Sequence, residues 1–216
     1  MDIEAPFAAS SAAAAPVEPS PKRRKMLEAA TALFMKQGYG AVSMDAVARA
    51  ADVSKATLYA HFASKDALFA TIVGDACCLN TVDEMLFAAD TTDITTTLRA
   101  IGGRVLRFLV EPDTLARYRV VVSESARFPE LGAAFWVNGP KAFADHFAAW
   151  VAQQNAAGRL AADDPRVAAD QFIALLRSGL FMRASLAVPP APCEAEIDAT
   201  VEAAVTTFVR AFAPRE

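Results

Sequence analysis

Residues 43–65 read Ser-Met-Asp-Ala-Val-Ala-Arg-Ala-Ala-Asp-Val-Ser-Lys-Ala-Thr-Leu-Tyr-Ala-His-Phe-Ala-Ser-Lys, and they give the strongest local signal in the chain. Ser43 and Ser54 each precede a short run with helical apolar spacing, and a serine hydroxyl can accept a hydrogen bond from the free amides at a helix start. Residues 51–53 leave a three-residue turn between the runs. The pattern predicts a helix-turn-helix, whose short helices need neighbours to be stable.

The rest of the chain predicts an all-α protein. Glycine occurs nine times in 216 residues, hydrophobic residues make up 54%, and β-branched residues seldom alternate with polar ones. Apolar runs separated by proline- or glycine-containing breaks predict nine or ten helices. One break is expected at residues 138–140, and one unbroken helix over residues 165–186. We expect a disordered tail at 1–20, a helix-turn-helix module at 21–65 and a second helical domain at 66–216.

Charge is distributed unevenly along the chain. The whole protein has a formal net charge of −4, which taken alone argues against nucleic acid. Residues 22–65, however, carry eight Lys and Arg against three acids, a net +5. A basic segment on an acidic body is typical of a local DNA-binding surface. The basic cluster at residues 22–25 is either a solvated face or a group of cations close to phosphate.

Several classes of protein find little support in the sequence. No stretch approaches the roughly 18 uninterrupted apolar residues of a membrane helix. The start, Met-Asp-Ile-Glu, lacks the basic region of a secretion signal, and the three cysteines have neither disulfide nor metal-ligand spacing. We therefore expect a cytoplasmic protein with no metal site and no cofactor.

Three motifs within residues 38–69 carry a family resemblance: Gly-Tyr-Gly-Ala-Val-Ser-Met-Asp-Ala-Val-Ala, Ala-Asp-Val-Ser-Lys-Ala-Thr-Leu-Tyr-Ala-His-Phe and Ser-Lys-Asp-Ala-Leu-Phe. In residue type and spacing, residues 23–73 resemble the TetR family of transcriptional regulators. Residues 109–113, 123–131 and 158–160 resemble, less specifically, the C-terminal domain of its AefR-like branch. Asp52, Ala56 and Ala60 depart from the residues usual in the family.

The resemblance implies a ligand-responsive regulator, a repressor, that binds double-stranded operator DNA as a homodimer. Residues 66–216 would then bind a small apolar effector and form the dimer, and effector binding would release the DNA. Two-fold symmetry would separate the two recognition helices by about 34–36 Å and make the operator a near-palindrome.

Eight residues are candidate DNA contacts. In the first turn of the second helix, Lys55 can donate to guanine, and the methyl groups of Ala56 and Thr57 can contact thymine. From the family resemblance, five further donors face the phosphate backbone: Ser43, Ser54, Tyr59, His61 and Lys65. Alternatively, the serines are only caps, Tyr59 is a half-buried packing residue and His61 an ordinary surface histidine. Leu58 and Phe62 are expected to be core residues. Lys65 stands at a helix start, where a phosphate explains a cation better than stability does.

Aromatic residues recur through the middle of the chain. At helical spacing they are more often core than pocket, but Gly102-Gly103 inside a helix indicates either close helix approach or room for a ligand. We predict an apolar effector pocket among residues 85–150. Its candidate contacts are Phe87, Arg104, Phe108, Trp136, Phe143, His146 and Phe147, with Arg107 as a further polar candidate. A lone His146 is also compatible with a satisfied core or edge histidine, because it has no partner at metal-ligand spacing.

The last predicted helix carries a continuous apolar stripe. Its members are Ile197, Val201, Val205, Phe208, Val209 and Phe212. With Leu176, Gly179, Leu180 and Met182 before it, the stripe could pair with its own copy as a four-helix bundle, so the homodimer would form through the last two helices. The alternative is an intramolecular core.

Two other functional classes were weighed. An enzyme has little support, because the two histidines lie far apart and the chain lacks a nucleophile elbow and a phosphate-binding glycine loop. We therefore predict no catalytic residues. A ligand-binding module with a vestigial helix-turn-helix is the other alternative. The chain keeps polar side chains at the candidate DNA contacts Lys55, Thr57, Tyr59 and Lys65, which argues against a vestigial helix-turn-helix.

Overall fold

The computed structural model describes residues 20–76 and 93–214. Every regular element in these ranges is a helix, which confirms the all-α prediction. The helices are α1 (Pro21–Gln37), α2 (Met44–Ala50), α3 (Lys55–His61), α4 (Lys65–Ala76), α5 (Ile94–Val110), α6 (Pro112–Glu124), α7 (Pro129–Trp136), a π-turn (Val137–Lys141), α8 (Ala142–Ala156), α9 (Pro165–Leu176), α10 (Gly179–Ser185) and α11 (Glu194–Phe212). The predicted tail, apart from Ser20, and Phe87 lie outside the described residues. No helix in the described ranges has the length and hydropathy needed to cross a membrane.

The boundaries of α1 follow directly from its end residues. Ser20 accepts a hydrogen bond from the Arg23 amide at 3.3 Å, and Pro21 occupies the first turn, where a missing amide costs nothing. At the other end, Gly38 has φ = 79°, a left-handed conformation that glycine adopts without steric strain. The residues at both ends of α1 thus account for where the helix begins and ends.

Helices α7 and α8 form one continuous rod, because the π-turn joins them. The break predicted at residues 138–140 is therefore wrong. Pro140 removes an amide donor from the helix, and the wider π-turn accommodates it without ending the rod. The Asn138 side chain donates to the Ala134 carbonyl at 2.8 Å. Counted this way, the described residues contain ten helical rods, in agreement with the predicted number.

The single helix predicted over residues 165–186 is instead two helices. α9 ends at Leu176 and α10 begins at Gly179, with extended backbone at Ser178. Apolar spacing continues across the break, so periodicity alone does not reveal it. The break lets Arg177 turn inward, with its guanidinium 4.7 Å from the centre of the Phe181 ring.

The helix-turn-helix packs on α1 and α4 through one hydrophobic core. Phe34, Tyr39 and Phe69 lie in this core with ring centroids 5.4 to 5.6 Å apart. Leu58 and Phe62, both predicted to be buried, are 0% and 3% exposed. The same core includes Val121 of α6 and Leu131 of α7, so it is shared by the N-terminal module and the helices that follow.

The apolar stripe of α11 is part of the core of its own chain. Ile197, Val201, Val205 and Phe208 are buried against helices that include α5. A Cβ atom at Gly102 of α5 would lie 3.2 Å from Val201 Cγ1, so this glycine permits close helix approach rather than making room for a ligand. Self-association through the last two helices must therefore use a face other than this stripe. The helical period predicted a buried face, but it could not say which partner covers that face.

Candidate DNA-binding and effector sites

The turn between α2 and α3 forms without glycine. Asp52 has φ = 55°, and aspartate is among the few residues that tolerate this left-handed conformation. The Val53 amide donates to the Ala48 carbonyl at 3.0 Å, which closes the turn. A backbone hydrogen bond and the left-handed Asp52 thus close the three-residue turn in the absence of glycine.

Ser43 and Ser54 are both helix caps. The Ser43 hydroxyl accepts from the Ala46 amide at 3.2 Å, and the Ser54 hydroxyl accepts from the Thr57 amide at 3.0 Å. Both side chains are exposed, so capping leaves them accessible to a phosphate. Their DNA contact stays a prediction, compatible with the capping role.

The first turn of α3 faces away from the core. Leu58 is the buried residue of this helix, whereas Lys55 and Ala56 are exposed and Thr57 is half-buried. The Lys55 ammonium lies 2.8 Å from Asp45 Oδ1 of α2 and donates to Asp45 Oδ2 at 3.2 Å, and its hydrogen bond with Asp45 raises the pKa of Lys55. The turn thus presents a cation and two small side chains outward, as recognition of base edges requires.

Tyr59 and His61 continue the exposed face of α3. Tyr59 is 43% exposed, which is compatible both with a phosphate contact and with the alternative of a half-buried packing residue. Its ring centre lies 6.0 Å from the Lys55 ammonium. His61 is also exposed, with its ring centroid 6.2 Å from that of Phe62. Both can reach a phosphate backbone, and the contact stays a prediction for each.

Lys65 has a structural role that the sequence did not reveal. Its ammonium donates to the carbonyls of Tyr39 at 2.9 Å and Val42 at 3.1 Å, in the loop between α1 and α2. It also lies 4.2 Å from the Tyr39 ring centre, and burial lowers the pKa of Lys65. A stabilising role thus explains Lys65 as well as a phosphate does. Three donors on one ammonium leave room for both.

Two cations of the basic cluster at residues 22–25 lie beside the helix-turn-helix. The Arg23 guanidinium is 5.6 Å from the Phe62 ring centre, and the Lys25 ammonium is 3.5 Å from Asp52 Oδ2. The cluster is therefore next to α3, the proposed recognition helix, which fits the interpretation that these cations lie close to phosphate.

A cavity of about 80 Å³ lies among α5, α6, α7, the π-turn, α8, α9 and α10. Its apolar lining consists mainly of Val105, Phe108, Leu109, Phe135, Phe143, Ile173 and Phe181. Its polar lining consists of Thr114, Arg117, Tyr118 and Arg177. An apolar lining with a few convergent polar groups is typical of small-molecule sites, but such sites usually have volumes of about 300–1,000 Å³, so a bicyclic or larger ligand requires this cavity to widen.

Only part of the predicted effector set reaches this cavity. Phe108 and Phe143 line it, and their effector contact stays a prediction. Phe147 is fully buried in the core and stacks on Phe172 at 5.1 Å. Arg104, Trp136 and His146 are exposed and do not line the cavity. The helical spacing of apolar residues correctly predicts that Phe147 is buried, but spacing alone cannot distinguish a core residue from a pocket residue.

Arg107, the further polar candidate, is also outside the cavity. Its guanidinium bonds Glu194 at 2.8 Å and Asp198 at 2.7 Å on α11, at the surface. The polar residues that line the cavity were not predicted from the sequence, although the spacing of three of them gave a signal. Thr114, Arg117 and Tyr118 stand at i, i+3 and i+4, the spacing that places side chains on one face of a helix.

Helix α6 also contacts the loop that precedes the helix-turn-helix. A Cβ atom at Gly38 would lie 2.9 Å from Glu124 Oε1, and one at Gly40 would lie 3.1 Å from the Phe128 ring. Tyr39 meets Phe128 edge to face, with centroids 5.2 Å apart. One helix thus has its N-terminal half at the cavity and its C-terminal end against the N-terminal module.

This fold, with the first turn of its recognition helix α3 exposed, defines a helix-turn-helix DNA-binding protein. Residues 26–72 match the model of bacterial regulatory proteins of the tetR family, and residues 96–214 match the model of the AefR-like transcriptional repressor C-terminal domain. The chain belongs to the TetR family of transcriptional regulators, with a C-terminal domain of the AefR-like kind. It is a regulator and not an enzyme.

Individual relatives agree with this placement. A solved structure of a TetR-family regulator from Mesorhizobium loti has a TM-score of 0.79 and 25% identity, covering 92% of this chain and all of that one. The flavonoid-responsive regulator FrrA has a TM-score of 0.75 and 36% identity over 90% of this chain and 98% of its own. The regulator UidR of Escherichia coli is 39% identical over 56 residues, 26% of this chain and 29% of UidR. The match to UidR therefore covers less than a third of either chain.

Proposed function

We propose that this protein is a ligand-responsive repressor that binds a near-palindromic operator as a homodimer and releases it when a small apolar effector enters the cavity. The observation that carries the proposal is the placement of α6. Tyr118 lines the cavity, while Val121 belongs to the core of the N-terminal module and Glu124 contacts the α1–α2 loop. A ligand that shifts α6 would therefore also shift the core and the loop against which the recognition helix α3 is held.

In this proposal, residues 21–65 bind DNA and residues 66–216 bind effector and form the dimer, in a cytoplasmic protein with a disordered tail at 1–20. Lys55, Ala56 and Thr57 read bases. Ser43, Ser54, Tyr59, His61 and Lys65 contact phosphates. Each of these side chains except Thr57 and Lys65 is exposed, so little rearrangement is needed for contact.

The dimer would form through the region predicted as the last two helices, which in the structure is α9, α10 and α11, using outward faces of these helices. Val167 of α9 and Met182 of α10 are 47% and 58% exposed, and Leu186 beyond α10 is 67% exposed. On α11, the outward positions include Ala195, Ala199 and Ala203, small residues that let a second helix approach closely. Apolar and small residues on an outward face are suited to a two-fold helix bundle.

The effector would occupy the cavity against Phe108 and Phe143. The aromatic character of the lining favours a ligand with a flat apolar body, because rings pack well on rings. FrrA, by its name, responds to flavonoids, and it is a relative along nearly its whole length. A flat aromatic effector is therefore the class to test first.

The test is an operator-binding assay with the full-length protein and DNA from upstream of its own gene. Fluorescence anisotropy should show saturable binding of specific DNA, with weaker binding to scrambled DNA of equal length. An aromatic ligand that occupies the cavity should lower operator affinity. If the protein binds such a ligand but shifts no promoter DNA, the helix-turn-helix is vestigial and the proposal is wrong.

A further inference from the structure

The polar groups at the cavity are mainly hydrogen-bond donors. Arg177 donates through Nη2 to the Tyr118 hydroxyl at 3.3 Å, and Arg117 donates through Nη2 to Thr114 Oγ1 at 3.2 Å. Because the Tyr118 oxygen accepts from Arg177, its own proton remains available for a ligand. A guanidinium has five N–H donors, so each arginine has more donors than these contacts use.

The charge on these arginines is not neutralised locally. Among the residues that the structure describes, neither guanidinium forms an ion pair with a carboxylate, although Arg117 also borders a groove that Glu28 and Asp113 line. Arg177 is held by rings instead, with its guanidinium 4.7 Å from the Phe181 centroid and 5.6 Å from that of Tyr118. Cations beside an apolar cavity are unfavourable unless an anion compensates them.

The geometry points to an effector that is an aromatic anion, either a carboxylate or a phenolate. This inference rests on the proposed function and narrows it, because the effector of the same cavity then has an apolar aromatic body with one negatively charged group. The aromatic body packs against Phe108 and Phe143, while the negative oxygen accepts hydrogen bonds from Arg177, Tyr118 and Arg117. A planar guanidinium can bond both oxygens of a carboxylate, and this gives both affinity and orientation.

The test compares two probes of the same shape and different charge. Binding of 2-naphthoate and of neutral 2-naphthamide to the DNA-free full-length protein is measured by titration calorimetry. Charge-assisted hydrogen bonds predict that the anion binds about tenfold more tightly or better. The substitution Arg177→Gln should remove most of that preference, and Arg177→Lys should keep part of it. Arg117→Gln reports on the second arginine if Arg177 variants fold poorly.

A matched control uses Arg104→Gln, because Arg104 is on α5 but exposed and outside the cavity lining. This variant should keep the wild-type preference. Equal affinity for the two probes, preference for the amide, or no binding of either at about 1 mM would overturn the inference. The calorimetry contains no DNA, so it tests the ligand class separately from the switch. If the anion is preferred here but does not release operator in the anisotropy assay, the proposed switch is wrong and the ligand class stands.

Discussion

The Lys65 ammonium donates to the Tyr39 carbonyl at 2.9 Å and so ties the start of α4 to the loop between α1 and α2. The same loop contacts Phe128 through the Tyr39 ring. Lys65 therefore stands where α4, the helix-turn-helix module and the α6–α7 corner meet. This position makes it a structural residue whether or not it also contacts phosphate.

Replacing Lys65 should separate these two roles. Lys65→Ala removes the ammonium donor from the Val42 and Tyr39 carbonyls, of which the Tyr39 carbonyl keeps the Val42 amide at 3.4 Å, and should lower the free energy of unfolding by roughly 1–3 kcal/mol, as measured in urea. If Lys65 also neutralises a phosphate, the slope of log K against log[salt] for operator binding should flatten by about 0.9 per subunit. An unchanged slope together with reduced stability would leave Lys65 with the structural role alone.

Lys55 should determine sequence preference rather than stability. Its ammonium is exposed and its partner Asp45 is exposed as well, so the pair adds little to folding. Lys55→Ala should weaken specific operator binding by ~1–3 kcal/mol per base contact and should affect random DNA less. Lys36→Ala, on α1 outside the predicted DNA contacts, is the control. Equal losses on specific and random DNA would show that Lys55 reads no base.

The two adjacent glycines of α5 should behave in opposite ways. A larger residue at Gly102 collides with Val201, Leu176 and Phe172, whose nearest atoms are 3.2 to 3.3 Å from the added Cβ. Gly102→Val should therefore destabilise the protein by about 1–3 kcal/mol.

At Gly103 the added Cβ meets only the Arg107 side chain, which can move aside. Gly103→Ala should stabilise by up to about 1 kcal/mol through helix propensity. Thermal unfolding measures both, and a stable Gly102→Val variant would contradict the close α5–α11 packing.

Asp52 should tolerate substitution only by residues that adopt a left-handed backbone. Its φ of 55° suits Asn but not a β-branched side chain. Asp52→Val should cost about 1–2 kcal/mol of stability and weaken DNA binding, because the turn orients α3. Asp52→Asn loses only an exposed ion pair with Lys25 and should remain near wild type. Equal stability of the two variants in urea would mean that the turn is not under this constraint.

Glu196 should make stability depend on pH on the acid side. Its hydrogen bond with Arg183, followed by the one from the Cys193 amide, lowers the pKa of Glu196 below its ordinary 4.5. A carboxylate with a lowered folded-state pKa stabilises the fold above its unfolded pKa, and this stabilisation is lost as pH falls through the folded value. Glu196→Gln should be less stable than wild type at pH 7, and the difference should shrink below about pH 4. A difference that does not change with pH would contradict the ion pair with Arg183.

The sequence predicted the N-terminal module well because its signals are local. Ser43 and Ser54 each cap the helix that the pattern places after them, and Leu58 and Phe62 are buried as expected. Such signals depend on residues within one helical turn, and a single sequence contains them in full.

The second domain was harder to predict because its signals depend on distant partners. The α11 stripe predicted a buried face, but only the folded chain shows that its own helices, with Gly102 of α5, cover it. Likewise, Arg177 reaches the cavity because a helix break turns it inward, while Arg104 and Arg107 face solvent. Which arginine lines the cavity is decided by tertiary packing.

The most direct test of the central claim is the coupling between operator and effector. Affinity of 2-naphthoate, or of a tighter aromatic acid, is measured on free protein and on protein saturated with operator, and operator affinity is measured with and without the acid. The proposed switch predicts that each ligand weakens the other by the same factor, about 5- to 150-fold. Identical effector affinity on free and operator-bound protein would contradict it.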